Sequence, residues 1–181
     1  MPRTLPPRTF AALAAAAARL DAAGVPWLLA GSAGRALMGY RVRPADIDIE
    51  VGPDGTTAAG RALGIALRRE RGAGRDSLRG ATRLAGVEID VTCDLAVEGA
   101  THLLKPDFAL QRGWARPIGL GGRSIWTAPP EEGIARAIVL GDWRTLARIA
   151  GQAEGAPGTA PAIRPGYVAE RLSSATERAA R

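Results

Sequence analysis

Residues 46–51, Asp-Ile-Asp-Ile-Glu-Val, alternate polar and apolar without a break, the period of a β-strand with one covered face. Such a strand needs a layer packed against it. Ile47, Ile49 and Val51 point into that layer, while Asp46, Asp48 and Glu50 emerge together on the opposite side. Val-Glu-Ile-Asp-Val-Thr (87–92) repeats the pattern and sets Glu88 and Asp90 on one face. With 4 Trp, 2 Tyr and 2 Phe in 181 residues, the core has to come mainly from Leu, Ile, Val and Ala. The length suits one domain of ordinary size.

The rest of the chain supplies helices to cover such a sheet. Residues 9–24 read as a helix with Thr9 as N-cap and Gly24 as its stop; Phe10, Leu13, Ala17 and Leu20 share a face. Val25–Ala30 is a short buried strand ending at Gly31-Ser32, and residues 32–40 form a short helix starting at Ser32. Gly52-Pro53-Asp54-Gly55 is a turn, followed by a helix over 56–71. Residues 77–84 and 87–92 are antiparallel strands joined at Ala85-Gly86. A helical patch at 106–112 and a hairpin around Gly121-Gly122 come next. The Pro pair at 129–130 opens a helix with Glu131 and Glu132 in its first turn, and Asp142 caps another through Ile149. The order implies an α/β (α+β) fold on a mixed sheet, divided into a core (1–127), a helical extension (128–150) and a flexible linker and tail (151–181).

Composition removes several functions. The single Cys93 forms no internal disulfide, which points to a reducing cytoplasm, and one cysteine with one histidine, His102, excludes a zinc finger. Arg3 and Arg8 before FAALAAAAA imitate a secretory leader, but that run is mostly Ala and is interrupted by Arg19 and Asp21. No stretch approaches the ~20 apolar residues of a membrane span, so no membrane association is expected. The net charge of +6 favours anionic partners, although 23 of the 24 basic residues are Arg in a chain also rich in Ala, Gly and Pro, a compositional bias that weakens the inference.

The chemistry is concentrated in residues 28–51. A strand runs into Gly31-Ser32, a short helix follows, and the next strand opens on Asp46-Ile47-Asp48. The orphan N–H groups and dipole at a helix start favour phosphate; Gly31 permits close backbone approach and Ser32 adds a hydroxyl. Two carboxylates on one strand face repel unless a cation neutralises them, and oxygen ligands beside a phosphate site suit Mg²⁺. Asp90 adds a third carboxylate, enough to hold two metals about 3.5–4 Å apart. Arg35, Arg41 and Arg43 lie between the Gly-Ser turn and the aspartates, either reaching a triphosphate or nucleic-acid backbone or forming solvated surface. Cys93 reads as core, Glu50 and Glu88 as peripheral, and Trp27, Trp114, Trp126 and Trp143 as packing residues.

Gly31-Ser32, 13 intervening residues, Asp46-Ile47-Asp48-Ile49 and a later Asp90 strand together resemble the nucleotidyltransferase superfamily of the polymerase-beta-like fold. The likeness covers about residues 25–92 and is greatest to antibiotic nucleotidyltransferases and toxin-type nucleotidyltransferases. It implies a Mg²⁺-dependent enzyme that moves NMP from an NTP to a hydroxyl acceptor (small molecule, protein or tRNA 3′ end). Asp46 and Asp48 would bind both metals, Asp90 would complete the site that activates the acceptor, and Gly31 and Ser32 would hold the β- and γ-phosphates. Arg35 and Arg43 are candidate nucleotide contacts, and the toxin-type likeness implies an antitoxin partner. Members often carry a Lys on the helix after the second hairpin, where this chain has Arg136. The competing reading is a non-catalytic nucleotide- or RNA-binding module on the same fold.

Overall fold

A computed structural model describes residues 5–154 and 160–177. In chain order the first elements are α1 (Pro7–Ala22), β1 (Trp27–Leu29), α2 (Gly31–Leu37), β2 (Ile47–Val51), α3 (Thr56–Leu63), β3 (Arg68–Gly72), β4 (Arg75–Leu84) and β5 (Val87–Glu98). The second half adds β6 (His102–Leu104), α4 (Phe108–Trp114), β7 (Arg116–Leu120), β8 (Arg123–Thr127), α5 (Pro130–Leu140), α6 (Trp143–Glu154), α7 (Pro165–Ser173) and β9 (Thr176–Glu177). The main sheet runs β3-β4-β5-β2-β1-β8-β7, with β6 beside the end of β5 and β9 beside β6. It is mixed: β2 lies parallel to β5 and β1 to β8, and the remaining pairs are antiparallel. The expected α+β architecture is what the chain adopts.

The alternation in 47–51 sets the layering. Ile47, Ile49 and Val51 are buried with Ile89 and Val91 of β5, and the inner face of α1 (Ala12, Leu13, Ala16, Ala17, Leu20) and Ala59 and Leu63 of α3 join them in one cluster. The opposite, polar side of β2, β4 and β5 is left to face a cleft.

Three local expectations change. Thr9 is not the cap of α1: Pro6 precedes the helix, Pro7 sits in its first turn, Thr9 is buried, and Phe10 turns outward. The proline's fixed φ already suits the first turn, so no side-chain cap is needed. The helix expected over 56–71 stops at Leu63, because Gly64 takes a left-handed conformation (φ +70°), and Arg68–Gly72 form the edge strand β3 instead. Trp143 is no packing residue, being 68% exposed at the start of α6. Asp142 does cap that helix, its Oδ1 accepting the Thr145 N–H at 3.0 Å.

Within the stretch expected to be linker and tail, α6 continues to Glu154 and α7 docks on α5; residues 155–159 and 178–181 lie outside the described residues. Buried charge makes that docking. Glu132 accepts Arg171 Nε (2.9 Å), Arg136 Nε (2.8 Å) and the Tyr167 hydroxyl (2.6 Å). Glu131 accepts both the backbone N–H (2.8 Å) and Nε (3.0 Å) of Arg164. Burial alone would push the Glu132 carboxyl up, but Arg136, Arg171 and the Tyr167 hydroxyl outweigh it and hold it below the ordinary glutamate range. The first-turn glutamates thus serve less as partners of the helix dipole than as anchors for α7. Replacing the 1%-exposed Arg171 with Met is expected to cost about 3–5 kcal/mol, read as a lower urea midpoint, since it leaves Glu132 buried and under-compensated.

Candidate active site

The polar side of the sheet opens into a cleft of about 420 Å³. β2 contributes Asp48 and Glu50, with Asp46 immediately before it; β4 contributes Arg75, Ser77 and Arg79; β5 contributes Thr92. The facing wall is built from Gly31, Ser32 and Arg35 of α2, Gly133 and Arg136 of α5, and Thr145 and Arg148 of α6.

The Gly-Ser corner and the aspartates meet directly. Gly31 sits at φ +60°, and a methyl group on its Cα would overlap Asp48 Oδ2. Only a residue without Cβ lets the Asp48 carboxylate rest there. The backbone adds a second tie, the Ala30 N–H donating to the Asp48 carbonyl at 2.9 Å. The N–H groups of the first turn of α2, which have no acceptor within the helix, therefore lie beside the carboxylate cluster.

Register joins the third aspartate to this pair. Asp48 and Asp90 are direct neighbours across the parallel β2–β5 ladder, so both project from the same face. Burial, then the charges of Asp46 and Asp90, push the Asp48 carboxyl up to about 6. Asp90 is not on the cleft lining; Arg79 Nη2 donates to its Oδ1 at 3.0 Å.

Asp46 and the partly desolvated Asp48 form a crowded pair of carboxylates beside the start of α2, a donor set that fits Mg²⁺, which is commonly held by one or two carboxylates plus substrate phosphates. Among the described residues no group of three His, Cys, Asp or Glu side chains is arranged to hold an ion, and the Arg79–Asp90 contact is consistent with that. A second ion drawing on Asp90 requires Arg79 to move aside.

Arg35 lines the cleft, its Nε bonded to Gln152 Oε1 at 2.9 Å. Burial and the neighbouring Arg148 weaken its hold on its proton, while Asp48 acts the other way. Arg43 is exposed on the loop before β2 and does not line the cleft. Glu50 is not a solvated bystander: Arg136 grips it bidentately at 2.7 and 2.9 Å. With Glu132 on its Nε as well, Arg136 is committed to structure. Glu88 is half-exposed with Arg83, and Cys93 is buried, both as expected. Sequence reasoning missed Arg75, Ser77, Arg79, Thr145 and Arg148. The i, i+4 recurrence of Arg75, Arg79 and Arg83 along one strand was the available signal for the first group; nothing local marked α6.

Neither a sequence-family model nor a curated protein matches the chain. Among solved structures, a Thermotoga maritima protein designated a nucleotidyltransferase (TM1012) superposes with a TM-score of 0.68 at 19% identity, covering 84% of this chain and 97% of that one. The chain has the nucleotidyltransferase fold. A further structure, ANT(2")-Ia in complex with adenylyl-2"-tobramycin, aligns over 89% of this chain and 95% of that one with a TM-score of 0.48 and 13% identity. No helix among the described residues is long and apolar enough to cross a membrane.

Two measurements follow from the Gly31–Asp48 packing on this nucleotidyltransferase fold. Gly31→Ala should lower the urea midpoint, with about 1–2 kcal/mol from the left-handed backbone and a further part from the overlap. In an Asp48→Ala background only the backbone part should remain, a coupling that a double-mutant cycle reads directly. The raised Asp48 carboxyl sets a pH dependence: ionising it penalises the folded state, so its contribution to stability falls as pH rises from about 4 through 6. Asp48→Asn is therefore expected to stabilise the protein by about 1–3 kcal/mol at pH 7.5, with the gain shrinking toward pH 4.

Proposed function

We infer that the chain is a Mg²⁺-dependent nucleotidyltransferase that moves NMP from an NTP to a hydroxyl acceptor. The observation that carries this reading is the seating of the Asp48 carboxylate on Gly31, which puts the paired aspartates and the start of α2 in one cleft. The shared fold supports it.

In this mechanism the first-turn N–H groups and Ser32 hydroxyl hold the β- and γ-phosphates, and Arg35 faces their charge. Asp46 and Asp48 would hold Mg²⁺, which supplies charge neutralisation at the phosphates and a lowered pKa for the acceptor hydroxyl. The acceptor oxygen bonds to the α-phosphorus, the α–β bridging P–O bond breaks, and pyrophosphate leaves. The hydroxyl proton passes to an Asp90 carboxylate oxygen and then to water, once Arg79 has released that carboxylate. Arg43, exposed on its loop, is left with only a peripheral contact to a bound nucleotide or acceptor. Small molecules, proteins and a tRNA 3′ end all fit the hydroxyl requirement, and a toxin-type member would work against an antitoxin partner in the cytoplasm.

Incubation with α- and γ-labelled NTPs and Mg²⁺ tests the reading. Pyrophosphate release should require the metal and fall at least 100-fold in Asp46→Asn and Asp48→Asn, both of which should remain folded. Nucleotide binding with no pyrophosphate release from any acceptor would favour the non-catalytic module.

A further inference from the structure

Arginine is unevenly spread along this chain. Residues 68–84 contain six of its 23 arginines (68, 69, 71, 75, 79 and 83), so a general compositional bias does not account for them. Strand geometry sorts these six onto two faces. Arg68 is the cross-strand neighbour of Arg79, which neighbours Thr92, which neighbours Glu50. Direct neighbours share a face, and so do alternate residues along a strand. Arg68, Arg75, Arg79 and Arg83 therefore all stand on the side of the sheet that carries Asp46, Asp48 and Asp90. Arg69 and Arg71 fall on the other side and share Asp76.

The four face-sharing arginines are all exposed; Arg79 is held by Asp90 at 3.0 Å and Arg83 loosely by Glu88 at 3.6 Å, while Arg68 and Arg75 make no ion pair among the described residues. Arg75 and Arg79 lie in the cleft, and Arg68 and Arg83 lie beyond its lining. Edge-strand protection explains arginines on β3 but not on β4, which is paired on both sides. From Arg75 to Arg83 the row is about 27 Å long, the length of roughly eight stacked nucleotides. It is far more than one NTP needs, and its sign repels a cationic acceptor.

Two further features complete the surface. Trp143, 68% exposed, directly follows Asp142, which lines the cleft and feels the charge of Arg75. A cationic track with an exposed aromatic beside it is the usual equipment for binding a single strand. Ser77, Thr92 and Thr145, three hydroxyl-bearing residues, line the cleft, a residue type suited to the 2′-OH that separates RNA from DNA.

We propose that the arginine row of β3 and β4 docks a single-stranded RNA and leads its 3′ end over Asp46 and Asp48, making RNA the hydroxyl acceptor. The docking surface stands on its own charges; the acceptor role rests on the nucleotidyl-transfer reading.

Docking is tested without NTP or metal, by fluorescence anisotropy of a 5′-labelled 12-nucleotide RNA titrated at several salt concentrations. Wild type should bind with steep salt dependence. Arg68→Ala/Arg83→Ala, both residues outside the cleft lining, should weaken binding at least tenfold and reduce the salt slope by about 1.4. Arg68→Lys/Arg83→Lys should recover most of the loss, which separates charge from misfolding, and Trp143→Ala should weaken binding about tenfold without changing the slope. Affinity unchanged in the double alanine variant, or equal affinity for DNA of the same sequence, overturns the proposal. The acceptor role is then read with labelled NTP and Mg²⁺: RNA lengthened by a nucleotide supports it, and pyrophosphate release with RNA left unextended overturns it. A complete lack of pyrophosphate release with every acceptor would instead strike the transfer chemistry, with the binding result standing separately.

Discussion

The Asp48 carboxylate rests against the bare α-carbon of Gly31, and the cleft is organised around that contact. It fixes how far the start of α2 stands from β2, and it brings a source of backbone N–H donors next to a source of negative charge. Neither is unusual alone. Together, with the carboxylate partly desolvated and crowded by Asp46 and Asp90, they make a place where ionisation is costly unless a cation or a cationic side chain is nearby.

Arginine meets that demand in two different ways. Arg136, Arg164 and Arg171 are directed inward: Arg136 ties α5 to Glu50 of β2, and Arg164 and Arg171 tie α7 to Glu131 and Glu132 of α5. Arg35, Arg75, Arg79 and Arg148 line the cleft. The Arg136–Glu50 fork links the two groups, because Glu50 lies on the same face of β2 as Asp48. One glutamate of the polar face is thereby removed from the chemistry and made part of the scaffold.

Much of this was legible in the chain. The strict alternation of 46–51 identified both the buried and the polar side of β2, and the second alternating run located β5, because a period of two leaves little freedom once one face is covered. The Gly-Ser turn between strand and helix marked the corner on which Asp48 rests. What failed was local and has local causes: a proline replaced the expected cap of α1, and Gly64 ended α3 early, which released the chain to form the edge strand β3. Arg43 was placed near the site by its position in the sequence, yet its loop carries it to the exterior. Residues 151–181 read as linker and tail by composition; the docking of α7 escapes such a reading because its fixed points, Arg164 and Arg171, find their partners 33 and 39 residues away.

The sequence by itself determined which residues carry charge on which strand face, since side-chain direction follows from backbone period alone. Tertiary structure decided which of those charges meet. Strand order placed β4 next to β5, set Arg79 on Asp90, and lined four arginines beside three aspartates. Helix docking committed Arg136 to Glu50 and brought Arg148 to the cleft. Electrostatic energy depends on distance through a medium of varying dielectric, and long-range pairing, which no local pattern encodes, sets both.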